Sequence, residues 1–106
     1  MKFEEYQKES RKTAIYPQAG RNYIYPTLGL AGETGEFVEK IKHILRDHKG
    51  KISNDKKEDL KDALGDVLWY LSQLASELHL SLEDIATHNL KKIFKRKKQG
   101  NLRGEH

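Results

Sequence analysis

Acidic residues fall in this sequence at spacings that a helix would turn into clusters. Glu33 and Glu36 lie three positions apart. On a helix they stack on one face and can reach one cation. At about 100° per residue, with Phe37 at the centre of an apolar stripe, Glu33 lies about 40° from that centre. Glu36 lies about 60° further round, at the border of the stripe. Burying an unpaired carboxylate is costly, so the pair calls for a partner. That partner is either a basic residue, such as Lys40 one turn after Glu36, or a metal ion.

A second acidic set follows. Asp59, Asp62 and Asp66 fall within about 60° of one another on a helix, away from Leu64 and Leu71 and bordered by Ala63, Trp69 and Tyr70. A purely solvated stripe has little use for Trp69 and Tyr70, so a subunit interface or a ligand cleft is expected there. Further on, Asn89 falls inside an apolar arc, with Lys92 and Arg96 along its border. This row could form ion pairs with the acidic rows, or hold the phosphates of a ligand whose metal sits on the carboxylates. Several carboxylates and no cysteine suit a hard cation, Mg²⁺ or Mn²⁺. Neither a G-x-x-x-x-G-K-[ST] loop nor a dinucleotide fingerprint is present, so a polyphosphate would be gripped through metal and Lys/Arg. No Ser/His/Asp triad assembles. His43, His48, His79 and His88 read as surface or helix-end residues. Tyr23, Tyr25 and Trp69 are candidate stacking surfaces for a base, although the Tyr-rich loop of Tyr16, Tyr23 and Tyr25 also suits packing against a helical bundle.

Four helices are expected to position these residues. The chain has 106 residues, of which 36% are apolar and 34% charged, as suits one domain of amphipathic helices. A short helix covers about residues 2–13, with Phe3 and Tyr6 on one side. Pro17, Gly20 and Pro26 break the next stretch. The second helix runs from an N-cap at Thr27 to about Asp47, with Leu30, Phe37, Val38, Ile41, Ile44 and Leu45 at helical spacing. The third, about 55–79, is capped by Ser53, Asn54 or Asp55. Its core stripe is Leu60, Leu64, Val67, Leu68, Leu71, Leu74, Ala75 and Leu78. Ser81 caps the fourth, with the stripe Leu82, Ile85, Ala86, Leu90, Ile93 and Phe94. The domain is read as residues 1–97, and 98–106 as a basic tail.

Charge is uneven. The net charge is +4, but residues 91–103 hold seven Lys/Arg and no acid, leaving thirteen Lys/Arg against sixteen Asp/Glu elsewhere. With no cysteine, disulfides and thiolate zinc sites are excluded. No apolar run approaches the roughly 20 residues of a membrane span, and the acidic N-terminus does not read as a signal peptide. A cytoplasmic protein is the expectation.

Three runs, in order, resemble the MazG-like branch of the all-α nucleoside triphosphate pyrophosphohydrolases. They are Gly29-Leu30-Ala31-Gly32-Glu33-Thr34-Gly35-Glu36, then Leu64-Gly65-Asp66-Val67-Leu68-Trp69-Tyr70-Leu71, then Asn89-Leu90-Lys91-Lys92 with Arg96-Lys97. The resemblance covers roughly residues 23–104. It implies an all-α, four-helix-bundle-like fold completed by dimerisation, as a homodimer or dimer-based tetramer. It also implies Mg²⁺-dependent hydrolysis of nucleoside triphosphates, dNTPs or non-standard NTPs, to the monophosphate and pyrophosphate, clearing unwanted nucleotides. Carried over, Glu33 and Glu36 match E-x-x-E and Asp66 the final acid of E-x-x-D; these are the catalytic and metal-binding candidates. Asn89 and Lys92 match the polar pair of the last helix, with Arg96, Trp69 and Tyr25 as further substrate contacts. One position departs: the Glu expected three residues before Asp66 is Ala63. Asp62, one residue earlier, is a candidate replacement ligand, and Asp59 a second. An alternative reading is a helical dimer, its catalytic site impaired, that binds nucleic acid or a protein through Lys91–Arg103.

Overall fold

The structure is a computed structural model that describes residues 1–100. Within them the chain is all-helical: α1 (Phe3–Arg11), α2 (Ile24–His48), α3 (Asn54–Glu77) and α4 (Leu82–Lys98), with no strand among the described residues. Asn101 to His106, most of the basic tail, lie outside the described residues.

Local chemistry sets the helix ends. Ser53 caps α3, its Oγ accepting from the Lys56 N–H at 3.2 Å. Ser81 caps α4 in the same way, accepting from the Asp84 N–H at 3.1 Å. Both satisfy a backbone donor that the first turn leaves orphaned. The start of α2 differs from expectation. It begins at Ile24, before Pro26, and Thr27 is not its cap; the Thr27 Oγ1 donates to the Tyr23 carbonyl at 2.7 Å from inside the first turn. Pro26 is tolerated because first-turn N–H groups have no helical partner to lose. At the other end, Lys49 adopts a left-handed φ of 55° and Gly50 follows at 79°, closing α2 with the Gly50 N–H on the Ile44 carbonyl.

Packing is uneven around α3. α2 runs antiparallel along it, α1 lies on its C-terminal half, and α4 packs on α1 and on the end of α3 but not on α2. The bundle therefore stays open. Its radius of gyration is 16.5 Å, against about 13 Å for a compact chain of this length.

The apolar stripes are not the core they were expected to be. Ile44, Leu60, Ala63, Ala75 and Leu82 are buried, but Leu64, Leu71 and Leu78 on α3, Val38, Ile41 and Leu45 on α2, and Leu90 and Phe94 on α4 are exposed. Around the C-terminal half of α3 the buried side chains are polar: Ser72 and Gln73 have no exposure, and Glu77 has 7%. Hydrogen bonds from α1 make that burial affordable. Gln7 Nε2 donates to Ser76 Oγ at 3.0 Å, Gln73 Nε2 donates to Ser10 Oγ at 3.0 Å, and Arg11 donates to Gln73 Oε1 at 3.2 Å. No buried side-chain polar atom lacks a partner among the described residues, as stable interiors require.

Candidate active site on an acidic seam

Two contacts fix how α2 lies against α3. Lys40 Nζ donates to both Asp59 carboxylate oxygens, at 3.2 and 3.1 Å. Eleven residues before Lys40 is Gly29, and eleven after Asp59 is Tyr70; a Cβ added to Gly29 would fall inside the Tyr70 ring. Both contacts obey one antiparallel offset. Between them, that offset sets Glu33 level with Asp66 and Glu36 level with Ala63. The facing rows, Gly29-Glu33-Glu36-Lys40 and Asp59-Ala63-Asp66-Tyr70, both step four, three and four residues, which keeps each on one helix face.

The seam thus holds a Lys–Asp ion pair at one end, a tyrosine over a glycine at the other, and two acids facing each other between. Glu33 is half-buried; Glu36, Asp62 and Asp66 are exposed. Among the described residues no basic group pairs with any of these four, and Lys40, the alternative partner for Glu36, is committed to Asp59. Ala63 is turned inward, with 4% exposure. Burial pushes the Tyr70 hydroxyl above its ordinary pKa, and Tyr25, Glu33 and Asp66 push it further. One hydroxyl therefore feels both facing carboxylates. Tyr6 on α1 is raised in the same direction, by burial and then by Asp66.

The carboxylates are hard oxygen donors of the kind Mg²⁺ and Mn²⁺ take. They are not gathered into a ready-made cage: among the described residues no three His, Asp or Glu side chains stand together as a metal-binding group.

Beside the seam lies a cluster of four rings. Tyr25 stacks on Tyr16 at 4.9 Å and 12°, and sits 6.4 Å from Tyr70. Trp69 meets Tyr70 edge-on at 5.0 Å, and its Nε1 donates to Thr13 Oγ1 at 2.9 Å. Tyr25 keeps 41% of its surface exposed. Glu77 holds the cluster and the loop before α2. Its Oε2 accepts from Arg11 Nη2 and the Gly20 N–H, each at 2.8 Å, and its Oε1 from the Asn22 N–H at 2.8 Å. The Tyr16 hydroxyl also donates to Oε2. Burial alone would raise the Glu77 carboxyl, but the bonds from Tyr16, Gly20, Arg11 and Asn22 outweigh it and bring it down to about 2. Sequence reasoning missed Arg11, Tyr16 and Glu77 as a unit, because their partnership spans 61 to 66 residues of chain.

The α4 row is not brought to the seam within one chain. Asn89 and Lys92 are exposed rather than tucked into the apolar arc, and line a separate groove with Leu80, Asp84, Ile85 and His88. Arg96 is half-buried. α4 does not pack on α2, so the row does not lie against the helix that carries Glu33 and Glu36.

The chain is 43% identical over 104 residues to the gene 37 protein of Mycobacterium phage L5, covering 93% of this chain and 91% of that protein. No solved structure matches. The MazG nucleotide pyrophosphohydrolase domain matches residues 25–101, which takes in α2 from its second residue, all of α3 and α4, and both facing acidic rows. This chain belongs to the MazG nucleotide pyrophosphohydrolase family.

Proposed function

We propose that the acidic seam hydrolyses nucleoside triphosphates, dNTPs or non-standard NTPs, to the monophosphate and pyrophosphate with the help of Mg²⁺ or Mn²⁺. The observation that carries this reading is Glu33 facing Asp66 with no basic partner among the described residues. Two like charges across a helix seam repel, and a cation resolves the repulsion. Glu33, Glu36 and Asp66 would hold the ion. When bound, it supplies charge neutralisation for the triphosphate and acidifies a water molecule. Glu36, which faces a methyl group rather than another acid, accepts the proton of the attacking water. Tyr25, exposed beside the seam and backed by Tyr16, offers its face to the base, with Trp69 bracing the cluster.

Asn89, Lys92 and Arg96 bind substrate phosphates in this reading, and reach a seam only from another copy of the chain. The outward Leu64, Leu71 and Leu78 on α3, with Leu90 and Phe94 on α4, form the apolar face for that association as a dimer or dimer-based tetramer. The test is product analysis. Incubation with dNTPs and Mg²⁺ should yield monophosphate and pyrophosphate, and Glu33→Ala should abolish turnover. Release of orthophosphate and diphosphate would overturn the reaction. Full activity of Glu33→Ala would overturn the site.

A further inference from the structure

α4 carries its charge where its packing ends. Leu82 is buried and Ile85 and Ala86 are half-buried, but from Thr87 to Lys98 every residue is exposed except Ile93 and Arg96, which are half-buried. Acids stop before this stretch: Asp84 is the last, and residues 91–98 hold six Lys/Arg in eight positions. At 1.5 Å per residue, that is about one positive charge per 2 Å of helix axis. Duplex DNA carries one negative charge per about 1.7 Å of its own axis. Two of the six, Lys92 and Arg96, fall on the row given to substrate phosphates. Lys91, Lys95 and Lys98 form a second row, within about 60° of one another on the side of α4 opposite Leu82. They border Leu90 and Phe94 and line one groove with them and Thr87. Among the described residues none of these three lysines forms an ion pair.

We propose that Lys91, Lys95 and Lys98 bind the phosphate backbone of duplex DNA, without preference for sequence. The helix dipole favours cations in the last turn only, which accounts for Lys95 and Lys98 and leaves Lys91 unexplained. The three ammonium groups leave the helix at rises of about 6 and 4.5 Å, as a line of flexible point charges. Such charges suit phosphate oxygens, whereas reading base edges calls for bidentate forks such as Arg or Asn. A bilayer is the poorer partner. Leu90 and Phe94 are the apolar side chains of this groove, and two side chains fall far short of the apolar face that an interfacial helix buries. The inference does not depend on the proposed reaction. The row stands roughly 120° round α4 from Asn89, Lys92 and Arg96, so duplex and nucleotide do not compete for the same side chains.

The test is fluorescence anisotropy of a labelled mixed-sequence DNA duplex titrated with the full chain in EDTA, over a series of salt concentrations. Three phosphate contacts at a slope of about −0.9 each should weaken affinity at least about 40-fold between 50 and 200 mM salt. A duplex of different sequence should bind equally. The variant Lys91→Gln/Lys95→Gln/Lys98→Gln should lose this binding while keeping its helical circular dichroism and its turnover of dNTPs. As a control for net charge, Lys49→Gln/Lys51→Gln/Lys57→Gln removes the same charge from exposed lysines around the α2–α3 turn and should bind as the unaltered protein does. No binding at 50 mM salt overturns the proposal, as does equal loss in the two triple variants. Tighter binding to single-stranded DNA, or to anionic lipid vesicles at the same phosphate concentration, also overturns it. If the α4 variant does not fold, the salt slope and the comparison of duplex, single strand and vesicle decide.

Discussion

Replacing Glu77 with Gln should cost the folded chain on the order of 2–3 kcal/mol at neutral pH, and the loss should vanish in acid. The magnitude follows from the cluster. The Glu77 side chain has no exposed surface, and its carboxyl is brought from 4.5 down to about 2 by four donors. At about 1.4 kcal/mol per pKa unit that shift would give roughly 3 kcal/mol; the group lies just beneath the surface, where solvent weakens each interaction, so the lower range is expected. The carboxyl is lowered in the folded state, so its contribution is complete above pH 4.5 and drains away as pH falls towards 2. Urea unfolding followed by circular dichroism, at fixed protein concentration from pH 7 to pH 2.5, measures the gap between the two proteins. Other carboxylates titrate alike in both, so their effects cancel in the difference. The gap should be full at pH 7 and narrow steadily below pH 4.5. A gap of constant size across this range, or none at pH 7, would refute the claim that the charge of Glu77 holds the loop.

Gly29→Ala should destabilise the chain, because the gain of about 1 kcal/mol in helix propensity is outweighed by about 1–3 kcal/mol of overpacking against Tyr70; near-UV circular dichroism should report the displaced ring. Gly35→Ala, with nothing within 4 Å of its added Cβ, should instead stabilise by up to about 1 kcal/mol in thermal unfolding. Leu71→Asp should leave the helical content intact while shifting sedimentation towards the single chain; an unchanged sedimentation coefficient would remove α3 from any subunit contact. Ser81→Ala should cost about 1 kcal/mol through loss of the α4 cap, measured by urea unfolding.

The helices were legible because apolar periodicity and serine caps are local signals. Ser53 and Ser81 sit where their hydroxyls meet an orphaned N–H; the sequence names Ser81 outright and Ser53 as one of three candidates with Asn54 and Asp55. The start of α2 was misread because Pro26 looks like a breaker, although in a first turn it removes no hydrogen bond. The faces were harder. Periodicity says that Leu64, Leu71 and Leu78 share a side of α3 but not what covers that side, and among the described residues all three remain exposed. The covered polar side depends on Gln7, Ser10 and Arg11, which lie 62 to 73 residues away from the groups they meet. The acidic seam was half legible. Spacing placed Glu33 and Glu36 together and put Asp66 on the aromatic side of α3; the pairing of Glu33 with Asp66 needed the register that Lys40 and Tyr70 set. The α4 row was read as facing the acids because a helical wheel gives direction about one axis and says nothing of which neighbour stands there.

The polar dock of α1 also bears on where the working unit of this protein begins. Residues 25–101 carry the family match, and a shortened gene product starting at Tyr25 would look like the natural minimal piece. It would keep Glu77 while discarding Arg11, Tyr16, Gly20 and Asn22, every donor that its carboxylate uses. It would also discard Gln7, whose amide accepts from the Leu82 N–H at 2.8 Å and donates to the Leu80 carbonyl at 2.9 Å, pinning the turn from which α4 departs. An orphaned buried charge is a strongly destabilising thing to leave behind. The boundary of inherited similarity and the boundary of mechanical integrity are therefore different places on this chain, and the first two dozen residues belong to the second.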